Sequence, residues 1–190
     1  RAWRARVGRL LPADTHLDYV VEPKLDGLTV VLTYRDGQFA LGATRGNGEV
    51  GEDVTPNLRT LRGVPKRIPV DPQSDLIAPP YLVVRGEVFL PLDKFEALNA
   101  GRAAAGEALY MNPRNTAAGS LRQLDPAKTA ERPLRLYCYE IVAIEGAPLP
   151  DHQWDRLAWL AGLGFPVSPD NRHCDNLDAV VAVYDEWIER

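Results

Sequence analysis

The chain has 190 residues, 45% of them apolar and 25% charged, with a net charge of −4. That balance describes one large folded domain, or one with a small appendage, and excludes a disordered or fibrous chain. It also argues against a self-sufficient nucleic-acid binder, which is normally basic, so phosphate contacts in any DNA-handling role would fall partly to other regions of a larger protein.

Taken in chain order, Trp3 to Leu11 reads as a helix with arginines at 4, 6 and 9, ended by Pro12. Asp18 to Val21 is a short strand entering the turn Glu22-Pro23-Lys24-Leu25-Asp26-Gly27. Leu28 to Tyr34 and Gln38 to Thr44 are strands joined at Asp36-Gly37, a hairpin signal. Gly46, Gly48 and Gly51 break up an acidic loop from Gly46 to Asp53, and a short helix is expected from Pro56. Pro65 to Pro80 is proline-rich and reads as a surface excursion. Tyr81 to Leu90 reads as a strand, and Leu92 to Ala105 has helical spacing. Asn112 to Leu124 is polar at first and then helical. Leu134 to Ile144 is an aromatic-rich strand, and Pro150-Asp151 is expected to cap a helix from His152 to Leu160. The apolar spacing from Leu177 onward gives a final amphipathic helix. With no regular βαβ alternation, the expected class is α+β with mainly antiparallel sheet flanked by helices.

No apolar run is long enough to span a bilayer, and no signal-peptide core follows Arg1. Cys138 and Cys174 are the only two cysteines. Without a C-x-x-C pair a cysteine zinc site is excluded, and two free thiols in a reducing cytoplasm are expected. His16, His152 and His173 lack ligand spacing and read as structural or surface residues, so no metal ligands are assigned. The cluster Arg59, Arg62, Lys66 and Arg67 is either a solvated face or a contact for DNA backbone.

The chemistry centres on Lys24. A lysine amine attacks an electrophile only when neutral, and its unperturbed pKa is about 10.4. Lys24 follows an apolar strand and precedes Leu25, so partial burial is expected to help. Gly27 allows close backbone approach, and Asp26 can orient the amine or a bound metal ion. Alone, Lys-Leu-Asp-Gly reads more readily as a plain turn with both charges in solvent.

The surrounding blocks decide between these. Lys24-Leu25-Asp26-Gly27 is followed by Ala43-Thr44-Arg45-Gly46, then Gly51-Glu52-Asp53-Val54-Thr55, then Arg85-Gly86-Glu87-Val88-Phe89. Next come Asn112-Pro113-Arg114-Asn115 and Gly119-Ser120-Leu121-Arg122-Gln123-Leu124-Asp125-Pro126. This ordered set resembles the nucleotidyltransferase (adenylation) domain of the bacterial NAD-dependent DNA ligases, from about Tyr19 to the C-terminus.

The resemblance implies a covalent nucleotidyltransferase fold of the ATP-grasp-like DNA ligase type. It implies that Lys24 attacks the α-phosphate of NAD, that the AMP passes to the 5′-phosphate of nicked double-stranded DNA, and that the nick is then sealed. By the same resemblance Glu22 contacts adenine, Arg45 a phosphate or ribose, and Glu87 the ribose hydroxyls. Tyr139 stacks on adenine, with core packing as its competing role. Arg114 and Arg122 engage phosphates of the adenylate or the nick. They lie eight residues apart, slightly over two turns if all helical, and so are expected to share a face. Asn47 stands where many relatives carry aspartate. Mg2+ is the expected ion, and zinc is expected only in other parts of the full-length protein. A monomer in the bacterial cytoplasm, acting at the nucleoid in replication and repair and away from membranes, is the implied setting.

The expected division is a remnant of a helical module or linker at 1–12 and the nucleotidyltransferase domain at 13–190, cut short before the family's D-G-V-V-x-K block. As a fragment the chain is expected to bind adenylate weakly and not to react with NAD alone. Two rivals stay open. ATP-dependent ligases and capping enzymes share K-x-D-G but not the run from Asn112 to Pro126. A non-catalytic scaffold would be expected to have lost Lys24 or its partners.

Overall fold

The structure, a computed structural model, describes residues 2–12, 15–68 and 77–189. In chain order its elements are α1 (Ala2–Gly8), β1 (Tyr19–Val21), β2 (Leu28–Arg35), β3 (Gln38–Thr44), α2 (Thr55–Leu58), β4 (Tyr81–Phe89), α3 (Leu92–Ala104), α4 (Pro113–Leu121), α5 (Pro126–Ala130), β5 (Arg135–Glu145), α6 (Gln153–Gly162), β6 (Arg172–Cys174) and α7 (Leu177–Ile188). The chain divides into two compact units, one of residues 24–168 and one of residues 1–23 with 169–190.

The larger unit is built on a four-stranded antiparallel sheet in the order β3-β2-β4-β5. Period-2 alternation gives its strands two unlike faces. One face carries Val30, Leu32 and Tyr34 of β2, Leu82, Val84 and Val88 of β4, and Leu136, Cys138 and Ile141 of β5, all in one buried core. Against it pack Val54, Leu58, Leu61 and Val64, together with Leu160, Leu163 and Phe165 of α6 and the chain after it. Tyr34 is fully buried, its hydroxyl donating to the Pro65 carbonyl at 2.8 Å and its ring meeting Phe165 edge-on. The opposite face carries Thr29, Val31, Arg85, Glu87, Tyr137 and Glu140, in the pairs Thr29↔Glu87, Val31↔Arg85, Glu87↔Tyr137 and Arg85↔Glu140. A register shift between Arg85 and Gly86 leaves Tyr139 without a partner opposite it.

Local chemistry sets the element ends. Asp36 (φ 48°) and Gly37 (φ 72°) form the left-handed hairpin turn that their sequence predicts. Asn112 caps α4 by accepting the Asn115 amide at 2.7 Å, with Pro113 at the first helical position. Asp125 and Pro126 repeat this arrangement at α5.

Several boundaries differ from expectation. The capped helix α4 begins at Pro113, so the polar stretch expected to precede it is itself helical. Its last helical residue is Leu121, which leaves Arg122 as the C-cap with φ −93° and ψ 20°. Asp151 does not cap α6; His152 occupies that position and makes no side-chain cap bond. The short elements α5 and β6 carry too few residues for periodicity to reveal them. The expected excursion from Pro65 is anchored at both described ends. Ile68 and Pro79 are buried, the Phe39 amide donates to the Lys66 carbonyl, and the Ile68 amide donates to the Gly37 carbonyl. Residues 69–76 lie outside the described residues.

In the smaller unit β1 pairs with β6, Tyr19 standing opposite Cys174, and α7 packs against both strands. Asn176 caps α7 by accepting the Ala179 amide at 2.9 Å. His173 Nε2 lies 2.7 Å from Asp18 Oδ2, a structural pairing as expected. Both cysteines are free and buried, and burial pushes the Cys138 thiol up, so it is an inert core residue.

Candidate active site

The turn of Lys24 to Gly27 runs into β2 at the edge of the sheet face opposite the core. Gly27 is needed there because a Cβ would run into the Val88 carbonyl on β4. That close approach lets the Gly27 amide hydrogen-bond the Glu87 carboxylate, whose residue is only 8% exposed. The Thr29 hydroxyl donates to Glu87 Oε2 at 2.8 Å. Arg114 and then Lys24 act on the same carboxylate electrostatically. Burial dominates all of these and holds the Glu87 carboxyl above its ordinary range, while the hydrogen bonds and cations act in the other direction.

Lys24 and Asp26 are both exposed. The partial burial expected for Lys24 is therefore not found. Asp26 Oδ1 lies 3.6 Å from Arg114 Nη1.

Arg45 is placed by the hairpin: its amide donates to the Thr29 carbonyl at 3.1 Å and its side chain is exposed. The glycine-rich loop that follows closes on itself. Gly46 has φ +54°, and a Cβ there would meet the Val50 carbonyl. Asn47 Oδ1 accepts from the amides of Glu49 (3.0 Å) and Val50 (2.8 Å), which gives this residue a turn-holding role that aspartate would serve equally. The loop is stitched back to β3 through Thr44, whose amide donates to the Glu52 carbonyl at 2.9 Å and whose hydroxyl accepts the Glu52 amide at 3.0 Å.

The two α4 arginines do not share a partner. Arg114, in the first turn, faces Asp26 and Glu87. Arg122 lies past the end of the helix and pairs with Glu52 of the loop, Nε to Oε2 at 2.7 Å. The residues between them are all helical and Arg122 stands at the C-cap, and the two meet different carboxylates. Tyr139 is half-buried; burial, then Glu87, pushes its phenol up, and a hydrogen bond with Thr29 partly opposes this. Its carbonyl accepts from Gln153 Nε2 at 3.0 Å. Beside it Tyr137 packs on Phe89 with ring centroids 5.2 Å apart.

The structure thus brings Lys24, Thr29, Arg114 and Tyr139 around the buried Glu87 carboxylate, with Asp26 beside Arg114 and Arg45 tied to the same strand by its amide. Glu22 belongs to the other compact unit and is related to Lys24 here only by the chain. The basic cluster stands apart from this group. Arg59 donates to the Phe39 carbonyl and stacks over the Phe39 ring, and Arg62 and Arg67 line a surface pocket with Phe165 and Pro166. Sequence reasoning missed Thr29 and Glu52. Alternation along β2 could have found Thr29, since it lies two residues after Gly27; nothing in the acidic loop singled out Glu52.

No group of three or more His, Cys, Asp or Glu residues suited to a metal occurs among the described residues. The chemistry on offer is an accessible primary amine beside a buried carboxylate, flanked by guanidinium groups. That combination suits a nucleophile working on a phosphate-bearing substrate with hydroxyls to be gripped.

A family model for the NAD-dependent DNA ligase adenylation domain matches residues 1–190. Among curated relatives named DNA ligase, that of Chloroflexus aggregans is 55% identical over 194 residues, covering 100% of this chain and 28% of that protein. Those of Herpetosiphon aurantiacus and Thermomicrobium roseum are 48% and 49% identical over 190 residues, covering all of this chain and 28% and 27% of those proteins. The chain therefore spans between a quarter and a third of the length of the relatives it matches.

Proposed function

The chain belongs to the NAD-dependent DNA ligase adenylation domain family, and from that premise we propose that Lys24 is the residue that carries AMP. The lysine nitrogen, having given up its proton, forms a bond to the α-phosphorus of NAD. The bond to nicotinamide mononucleotide breaks, and that fragment leaves with the electron pair. The AMP then moves to the 5′-phosphate of a nick in double-stranded DNA, and the 3′-hydroxyl displaces it to seal the strand. Each step moves a phosphoryl group, so the protein's contribution is positioning and charge stabilisation.

The observation that carries this reading is the convergence of Lys24, Arg114, Thr29 and Tyr139 on Glu87. Glu87 is an acceptor for the ribose hydroxyls, Tyr139 a surface for adenine, and Glu22 a second contact at the base. Arg45 and Arg114 receive phosphate oxygens, Arg122 those of the adenylate or the nick, and Asp26 orients the amine. Mg2+ leans on substrate phosphates and one or two carboxylates. The exposed Asp26 fits that demand, and the ion would offset phosphate charge.

We assign residues 13–190 to a covalent nucleotidyltransferase fold of the ATP-grasp-like type and 1–12 to a remnant of a helical module or a linker, in a monomeric bacterial cytoplasmic enzyme whose zinc lies elsewhere in the protein. No helix among the described residues is long and apolar enough to cross a membrane. Cofactor choice by the full-length protein tests the reading. Labelled AMP is expected to transfer from NAD; transfer from ATP alone would overturn it.

A further inference from the structure

Arg122 is held at both ends, and the two grips have different chemistry. Its backbone is fixed from below by a buried polar network. Asn57 Nδ2 donates to the Gln123 carbonyl and to the Thr129 hydroxyl, both at 2.8 Å, and that hydroxyl donates to the Ser120 carbonyl at 2.8 Å. Thr129 is fully buried and Asn57 nearly so, so the chain on either side of Arg122 has little freedom. The side chain is held instead by an ion pair with Glu52, Nε to Oε2 at 2.7 Å. With Nε facing the carboxylate, the two terminal nitrogens carry the donors of the edge that suits a phosphate in bidentate fashion. Glu52 is itself anchored by the two main-chain bonds to Thr44, the residue before Arg45.

We propose that Glu52 is a positioning residue for Arg122, aiming the guanidinium edge at a phosphoryl group and tying the Arg45 loop to the arginine that follows α4. The proposal rests on the reading that Arg122 engages phosphate. Both side chains are largely exposed, so the pair does little for folding stability, and its effect is expected in the reaction.

The test uses the full-length ligase and single-turnover sealing of a nick that already carries AMP on its 5′-phosphate. R122A is expected to slow sealing strongly. E52A should slow it about tenfold with the melting temperature unchanged, the effect of losing one charge-assisted hydrogen bond. E52Q, which keeps an oxygen acceptor at the same reach without the charge, should recover part of that loss. In an R122A background, E52A should have no further effect, because Glu52 acts only through Arg122. The proposal is overturned if E52A seals at the wild-type rate while R122A is slow, or if the two losses multiply. If R122A itself seals normally, the phosphate role of Arg122 fails along with it, and the two failures are told apart by that single variant.

Discussion

The two faces of the β3-β2-β4-β5 sheet are made by the same strands, yet they obey different rules. On the core face Leu32, Tyr34, Leu82 and Val84 are fully buried and contribute through the apolar surface they remove from water. On the other face the equivalent positions hold Thr29, Arg85, Glu87 and Glu140, and Glu87 is buried as a carboxylate that burial itself disfavours in its charged form. The lesson is that one face supplies stability and the other spends some of it to hold a carboxylate beside Arg114 and Lys24.

That contrast can be broken by substitution. Leu32→Ala on the core face should cost about 2–5 kcal/mol of stability, read by denaturant melts, while AMP transfer well below the melting point survives. Glu87→Gln on the other face should do the reverse. Loss of charge-assisted bonds worth about 3 kcal/mol would cut AMP transfer roughly a hundredfold. Stability should rise at neutral pH, and the sign follows from linkage. A carboxyl held above its ordinary range in the fold contributes most while protonated, and that contribution is lost as pH rises through the raised value. The glutamine stays neutral and loses nothing, so its melting temperature should exceed that of the parent at pH 7. A lower one would contradict the contrast.

Smaller effects sharpen it. Asn47→Ala removes two bonds that close the glycine loop and should cost about 1 kcal/mol. Asn47→Asp keeps the acceptor and should change stability by less than about 0.5 kcal/mol. Thr29→Val removes a donor that lowers the Glu87 carboxyl, so the acid limb of the pH–rate profile should move to higher pH with only a few-fold loss near neutrality.

The core face was legible in the sequence because alternation over β2 and β4 and the Asp36-Gly37 turn are local signals. The ordered blocks singled out Lys24, Glu87 and Arg114, which the structure brings together, but their surroundings were not legible. Lys24 was expected half-buried and is exposed, since burial depends on where the turn leaves the sheet and not on its apolar neighbours in sequence. Arg114 and Arg122 stand at the two ends of α4, Arg122 as its C-cap, and their carboxylate partners come from distant segments that helical spacing does not reveal. Thr29 and Glu52 act across strands and loops, and no spacing rule reaches that far.

The central claim is that Lys24 carries AMP. Full-length protein incubated with NAD, digested and mapped by mass spectrometry should show an AMP adduct on the peptide containing Lys24, and K24A should show none. An adduct on another lysine, or labelling that survives K24A, would contradict the account.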